Sequence, residues 1–195
     1  MLFRSVLGKK PTLFMLSMSF FAWDDMLNMN KVGFFPYTPA TQMLQGLAVA
    51  IEMLHEEGLD NVFARHARLA EATRRAIRGW GLDTICRDPK YYSPTITAVL
   101  LPEGHDADAF RALALDHFNM SLGQGLSKVT GKVFRIGHLG DFNDLMLAGT
   151  LAGVEMGLAL AGVPHQKGGV AAALDYLVSD AAAPSKKPAA RLGVA

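Results

Sequence analysis

The sequence contains a single cysteine, Cys86, so the chain cannot form a disulfide within itself. It also has almost no excess of one charge, since 19 basic and 18 acidic residues leave a net charge of +1. A nucleic-acid-binding surface normally carries clustered basic residues, and the balance therefore predicts no nucleic-acid partner. The lone cysteine is typical of proteins in a reducing compartment, so we expect a cytoplasmic location.

No uninterrupted apolar run is long enough to cross a bilayer, which needs roughly 20 residues. Residues 12–23 follow basic residues as in a secretory signal, but they are too short for a span and lack a small-x-small cleavage site. Residues 145–163 carry glycines at four-residue spacing, which suits close helix contact, but Glu155 interrupts them. We therefore expect no membrane segment. A membrane-associated protein built on residues 145–163 is kept as the weakest alternative.

Recognisable catalytic and metal-binding motifs are also missing. The histidines share no metal-ligand spacing, so we predict no metal site. The sequence contains no P-loop, dinucleotide fingerprint or Ser-His-Asp order. The glycine-rich segments 123–125 and 137–140 are interpreted as structural turns. His138, in the second of them, could line a pocket or belong to the fold alone.

Half of the residues are hydrophobic, which supports a packed core. Apolar spacing, caps and glycine stops predict helices at 38–58, 60–78, 106–117, 141–161 and 169–178, and strands at 82–86, 95–101 and 132–137. This order indicates an α/β or α+β domain, a small sheet with helices packed on it. Residues 181–195 are expected to be a disordered tail.

Helix 60–78 has an expected inner and outer side. Val62, Phe63 and Leu69 are predicted to face the core. The helix also carries arginines that are predicted to face solvent, namely Arg65, Arg68, Arg74, Arg75 and Arg78.

Arg135 is unusual because it lies inside the apolar run Val-Phe-Arg-Ile-Gly. An arginine in such a strand needs a reason to be there. It could lie on an exposed sheet face. Alternatively, the rigid strand could hold the guanidinium ready to bind a carboxylate through two parallel hydrogen bonds.

Several longer segments carry a family resemblance. Residues 131–147 read GKVFRIGHLGDFNDLML, and shorter segments include WDDML at 23–27 and PYTPAT at 36–41. Together they resemble class V aminotransferases that depend on pyridoxal phosphate (PLP), and the serine–glyoxylate aminotransferases most closely. The resemblance covers about residues 19–177 and is identified with the C-terminal part of such enzymes.

The resemblance implies the small C-terminal domain of a fold-type-I enzyme, which is a homodimer with active sites at the subunit interface. Its small-molecule substrates are amino acids and 2-oxo acids, and PLP serves as the electron sink. Arg135 takes the place of the arginine that binds the substrate carboxylate. Thr38 and the adjacent Tyr37 take the place of residues that reach the PLP phosphate of the neighbouring subunit. Phe35 stands where some relatives carry a phosphate-binding tyrosine and cannot donate that bond.

The chain departs from the family pattern at its N-terminal side. The Ser-Gln-Lys-Gly-like motif with the Schiff-base lysine is absent, so we assign no catalytic residue. Lys10 would fill that role only after a sizeable deletion. We expect residues 1–37 to be a remnant of the large PLP domain with the inter-domain segment, residues 38–180 to form the C-terminal domain, and residues 1–18 to lie outside its core.

These features predict part of a transaminase that moves an amino group from serine or alanine to glyoxylate. Because the lysine motif is missing, we expect the chain alone to be inactive. The alternative is a non-catalytic dimerisation or interaction module.

Overall fold

The computed structural model of the protein describes residues 23–181, with side chains to residue 179. Lys10, residues 1–18, the signal-like stretch up to residue 22 and nearly all of the expected tail lie outside this range. The chain divides into two compact units, Met1–Met53 and Leu54–Ala195. The predicted domain boundary at residue 37 remains a prediction.

The first unit contains helix α1 (Trp23–Asn30), which the sequence analysis did not predict, and most of helix α2 (Thr41–Glu57). Helix α2 begins three residues later than predicted. Thr38 and Pro39 belong to the irregular segment before it, where the Thr41 N–H donates to the Pro39 carbonyl at 2.9 Å. No residue of either helix is buried.

The second unit alternates helices and short strands, as the sequence predicts. Its elements are α3 (Leu59–Gly79), β1 (Asp83–Thr84), β2 (Ile96–Leu100), α4 (Ala107–Phe118), β3 (Gly123–Gln124), β4 (Val133–Gly137), α5 (Asp144–Leu160) and α6 (Gly169–Ala181). Asp106 caps α4 as predicted, since its Oδ1 accepts from the Asp108 N–H at 2.8 Å. Helix α5 starts later than predicted because Asn143 is its N-cap and accepts from the Met146 N–H.

The four strands form one antiparallel sheet in the order β1-β2-β4-β3. Alternate residues of the two central strands face opposite sides. Thr97 and Val99 of β2 face the core with Phe134 and Ile136 of β4, and all four are buried. The opposite side, which we call the outer face, carries the half-buried Ile96, Ala98, Leu100 and Arg135.

Helices α3 and α6 pack together at the point where neither has a side chain. A Cβ atom built on Gly79 would lie 2.8 Å from the Gly169 Cα, and one built on Gly169 would lie 2.3 Å from the Trp80 Nε1. Trp80 is fully buried, and its Nε1 donates to Glu155 Oε2 at 2.6 Å. The same oxygen accepts from the Val170 N–H, so Glu155 also serves the first turn of α6.

Two predictions for the side chains of α3 are wrong. Phe63 does not face the core but is 63% exposed, whereas Val62 and Leu69 are buried as expected. Arg65, Arg68 and Arg74 do not stay in solvent: Glu57 and Asp144 pair with the first two, and Arg74 stacks on the Tyr92 ring. Phe63 was misplaced because amphipathic spacing predicts the buried side of a helix only to within about one residue. The arginines were misplaced because their long aliphatic parts can cover apolar surface while the guanidinium groups bind acceptors.

Candidate functional site

Arg135 is the central residue of β4 and points to the outer face of the sheet. Ala98 of β2 lies directly opposite it on one side, and Gly123 of β3 lies opposite it on the other. Each neighbouring strand therefore presents almost no side chain to the arginine. Strand β4 holds Arg135 half-buried on the outer face of the sheet, and its carboxylate-binding role remains a prediction.

The guanidinium of Arg135 has no acceptor in the described part of the chain. Its Nε is buried, yet no group among residues 23–179 accepts a hydrogen bond from it. An unpaired buried donor costs about 1–3 kcal/mol, and a charged one costs more. Such a group suits an anion that arrives from outside this part of the protein, and a carboxylate matches its planar geometry.

The segment that follows β4 is held from two directions. His138 is fully buried; its Nε2 accepts from the Thr97 hydroxyl at 2.9 Å, and its Nδ1 donates to the Pro94 carbonyl at 3.1 Å. Burial lowers the pKa of His138 to about 4, although the Pro94 hydrogen bond acts in the opposite direction. Both ring nitrogens are occupied inside the fold, so His138 lines no pocket.

Arg65 of α3 holds the next part of the same segment. Its Nη1 donates to the carbonyl oxygens of Gly140 at 2.7 Å and Phe142 at 3.0 Å. These contacts and those of His138 fix the chain on the C-terminal side of Arg135. They therefore engage the His138 ring and two carbonyl groups of this loop within the fold.

Tyr37 and Thr38 lie in the irregular segment between α1 and α2, in the first unit, whereas Arg135 lies in the second. Tyr37 is 41% exposed, and Thr38 is also exposed. An exposed hydroxyl next to a phenol fits a contact to a phosphate group. Their assignment to PLP remains a prediction.

The described residues fit only part of a PLP site. Every lysine between residues 23 and 179 is exposed, namely Lys31, Lys90, Lys128, Lys132 and Lys167. A lysine that forms an imine with PLP is normally desolvated or placed beside another cation, which activates its amine. The described residues thus fit the phosphate contact but not the imine, and we derive no catalytic step through the cofactor.

Two cavities of the second unit lie away from Arg135. One, of about 520 Å³, is an open groove between α3 and residues 89–94, and the other, of about 340 Å³, adjoins it. Arg74 lines both, but it is already paired with Glu71 and stacked on Tyr92. We therefore place the candidate site at the unpaired arginine and not at either groove. No cluster of three metal-ligating side chains occurs among the described residues.

No family model matches the chain. The serine–glyoxylate aminotransferase of Hyphomicrobium methylovorum is 50% identical to it over 163 residues, which are 83% of this chain and 40% of that protein. The serine–glyoxylate aminotransferase of Arabidopsis thaliana is 51% identical over 160 residues, 81% of this chain and 40% of that protein. The solved pyridoxamine–pyruvate aminotransferase of Mesorhizobium loti matches with a TM-score of 0.71 at 33% identity, covering 75% of this chain and 38% of that one.

The chain is homologous to serine–glyoxylate aminotransferases over most of its length. The resemblance inferred from its motifs is confirmed, and so is the expected fold of a small sheet with helices packed on it. The chain spans about 40% of the length of the curated relatives quoted above. No helix between residues 23 and 181 is long and apolar enough to cross a membrane.

The residues that flank Arg135 could not be singled out from the sequence. Gly123 was interpreted as part of a structural turn, but it belongs to strand β3 and pairs with Arg135. Ala98 was only one apolar residue within a predicted strand. The short spacing between Gly123 and Gly125 was the one available signal, and it does not reveal which strand the segment joins.

Proposed function

We propose that the chain is part of a PLP-dependent aminotransferase of the serine–glyoxylate type, in which Arg135 binds the substrate carboxylate. The whole enzyme would transfer the amino group of serine, or of alanine, to glyoxylate, and would release glycine with hydroxypyruvate or pyruvate. The observation that supports Arg135 is its guanidinium, which has no hydrogen-bond acceptor among the described residues, on a strand of a chain half identical to serine–glyoxylate aminotransferases.

Arg135 would serve both half-reactions in the same way. Serine and glyoxylate both carry a carboxylate, and a guanidinium on a rigid strand can bind either through two parallel hydrogen bonds. PLP, when bound, supplies the electron sink. Tyr37 and Thr38 would contact its phosphate, so loss of Arg135 should weaken substrate binding without releasing the cofactor.

The proposed enzyme is a homodimer. Helix α2 supports this proposal, because it carries many large apolar side chains and none of its residues is buried. A helix that is apolar on several sides is normally covered by protein. A second subunit would cover it. We further propose that the 195-residue chain by itself does not catalyse transamination, since its sequence lacks the motif that carries the Schiff-base lysine.

The test uses a chimaeric enzyme in which this chain replaces the matching region of the Hyphomicrobium methylovorum protein. Arg135→Lys keeps the charge but loses the planar fork. We expect KM for serine and for glyoxylate to rise. The fall in kcat/KM should correspond to a loss of about 2–4 kcal/mol of transition-state stabilisation, and the PLP content should stay unchanged.

The matched control for this test is Arg78→Lys, at an arginine whose side chain is 56% exposed, which should change kcat/KM by less than about 0.5 kcal/mol. Near-wild-type constants for both substrates in Arg135→Lys would remove Arg135 from the site.

The alternative is a non-catalytic dimerisation module, which the exposed apolar side chains of α2 also favour. The two functions differ in what the chain does beside a full-length relative. A module would form a stable heterodimer that sedimentation detects, and the chimaera would be inactive. An active chimaera would exclude the purely non-catalytic function.

A further inference from the structure

The strands beside Arg135 carry the two smallest residues at the positions that face it, Ala98 on β2 and Gly123 on β3. Directly opposed residues in an antiparallel pair have Cβ atoms about 4.5–5.5 Å apart, so their side chains normally compete for space. Arg135 has no large opposing side chain with which to compete. Its side chain could therefore lie over either of the two neighbouring strands.

The side chain of Arg135 lies over Gly123. A Cβ atom built on Gly123 would be 3.0 Å from the Arg135 Cβ and 3.2 Å from its Nε. Contacts of this length force a neighbour to move, and the Arg135 Cβ is fixed to the strand. The backbone of β3 therefore approaches the arginine as closely as it does only because residue 123 has no side chain.

Gly123 is not needed for its backbone conformation. Its φ angle is not positive, so an alanine could adopt its backbone angles. The requirement for glycine is spatial and concerns Arg135. Gly125 differs, since a Cβ atom there would lie 2.1 Å from the Val129 carbonyl oxygen and would disturb the loop itself.

We infer that Gly123 is a positioning residue for substrate binding: its bare backbone covers Nε of Arg135 and fixes the direction in which the terminal Nη1 and Nη2 groups face a carboxylate. This inference rests on the proposed function of Arg135. Nε is enclosed, so the ligand would be bound end-on by the two terminal nitrogens. A methyl group at residue 123 would push the guanidinium out of this orientation.

The first test is made on the unmodified 195-residue chain by NMR of the arginine Nε–H groups. Coverage by β3 predicts that the Arg135 Nε–H exchanges with water at least about tenfold more slowly than that of the exposed Arg87. Arg135→Lys and Arg87→Lys assign the two signals by removing them. Equal exchange rates would overturn the inference without any need for a glycine variant.

The second test is Gly123→Ala in the chimaeric enzyme. We expect KM for serine and for glyoxylate to rise about fivefold, because the added methyl group displaces Arg135 by a few tenths of an ångström and a displacement of about 1 Å can cost about a hundredfold. The melting temperature and PLP content should stay near those of the unsubstituted chimaera. Gly125→Ala is the structural control and should lower the melting temperature.

A double-mutant cycle separates positioning from a general structural effect. In an Arg135→Ala background, Gly123→Ala should raise KM by no more than about twofold, because its target is gone. Equal effects in both backgrounds would contradict the inference. If Arg135→Lys weakens binding while Gly123→Ala alone does not, the positioning role fails and the proposed function stands; if neither does, both fail.

Discussion

Arg65 and Glu57 form a bidentate ion pair, with Nε donating to Oε1 and Nη2 donating to Oε2, both at 2.6 Å. The Glu57 carboxylate raises the pKa of Arg65 mainly through these hydrogen bonds. The remaining nitrogen, Nη1, serves the carbonyl groups of Gly140 and Phe142. One side chain therefore joins the end of α2, the helix α3 and the loop that follows the candidate site.

Arg65→Lys should lower the free energy of unfolding by about 1–3 kcal/mol, because a lysine cannot serve the carboxylate and both carbonyls at once. Urea unfolding at pH 7 measures the change. Arg78→Lys, which alters a more exposed pair with Glu71, should change stability by less than about 0.5 kcal/mol. Equal losses in the two variants would show that the Arg65 network adds nothing beyond a surface ion pair.

Gly169→Ala should destabilise the second unit by about 2 kcal/mol or more. The added methyl group would meet the Trp80 indole and the Ala76 carbonyl oxygen at 2.5 Å or less, and neither can move easily. Gly149→Ala is the matched control, because a Cβ atom there meets nothing within 4 Å. It should be neutral or stabilise helix α5 by up to about 1 kcal/mol. Thermal unfolding of both variants would decide, and a tolerated Gly169→Ala would contradict the close packing of α3 and α6.

His138 should make the fold sensitive to mild acid. Its pKa is lowered from 6.5 to about 4 by burial, so the unfolded chain takes up a proton before the folded chain does. The stabilisation is complete above pH 6.5 and is lost as the pH falls towards 4, by about 2 kcal/mol between pH 7 and pH 5. Urea unfolding across this range should show the loss in the wild type and in His55→Gln. In His138→Gln this loss of unfolding free energy between pH 7 and pH 5 should vanish. If all three chains lost the same free energy of unfolding, His138 would not be the cause of the acid sensitivity.

Glu155 should titrate with the opposite sign. Burial alone would raise its pKa, but the hydrogen bonds from Trp80, Val170 and Gly168 together hold it below the ordinary value. A carboxylate with a lowered pKa stabilises the fold above its unfolded pKa, and that contribution is lost as the pH falls through the folded one. Glu155→Gln should cost about 1–2 kcal/mol at pH 7, and the cost should shrink as the pH falls through the lowered pKa of the wild-type carboxyl group.

The control for Glu155 is Glu103→Gln, at an exposed residue, which should change the free energy of unfolding by less than about 0.5 kcal/mol from pH 7 down to the onset of acid unfolding. A deficit in Glu155→Gln that stays equally large over this whole range would show that the charge of Glu155 is not what holds Trp80.

Local signals were enough to predict most of the second unit. Asp106 was expected to cap a helix, and it does so; the apolar runs around Val99 and Phe134 were expected to be strands, and they are the two central ones. Strand β3 was missed because two residues beginning at Gly123 have no strand preference of their own. They become a strand only by pairing with β4.

The candidate site was only half predictable. Arg135 could be singled out, because a charged residue within an apolar strand is unusual and the surrounding segment carries the family resemblance. Its neighbours could not, because the register between strands brings Ala98 and Gly123 beside it from 37 and 12 positions away in the chain. The same limit explains Phe63, whose exposure depends on what packs against each side of α3.

Arg68 of α3 donates to the carbonyl of Leu177 in α6 at 2.8 Å, across 109 positions of the chain. During synthesis on the ribosome, α3 therefore emerges well before α6, the helix with which it packs. Until α6 emerges, the bare backbone at Gly79 lacks the Gly169 backbone that packs on it, and closing so long a loop carries an entropic cost. We expect this unit to complete its core only after translation has passed Leu177, and its nascent form to depend on chaperones until then.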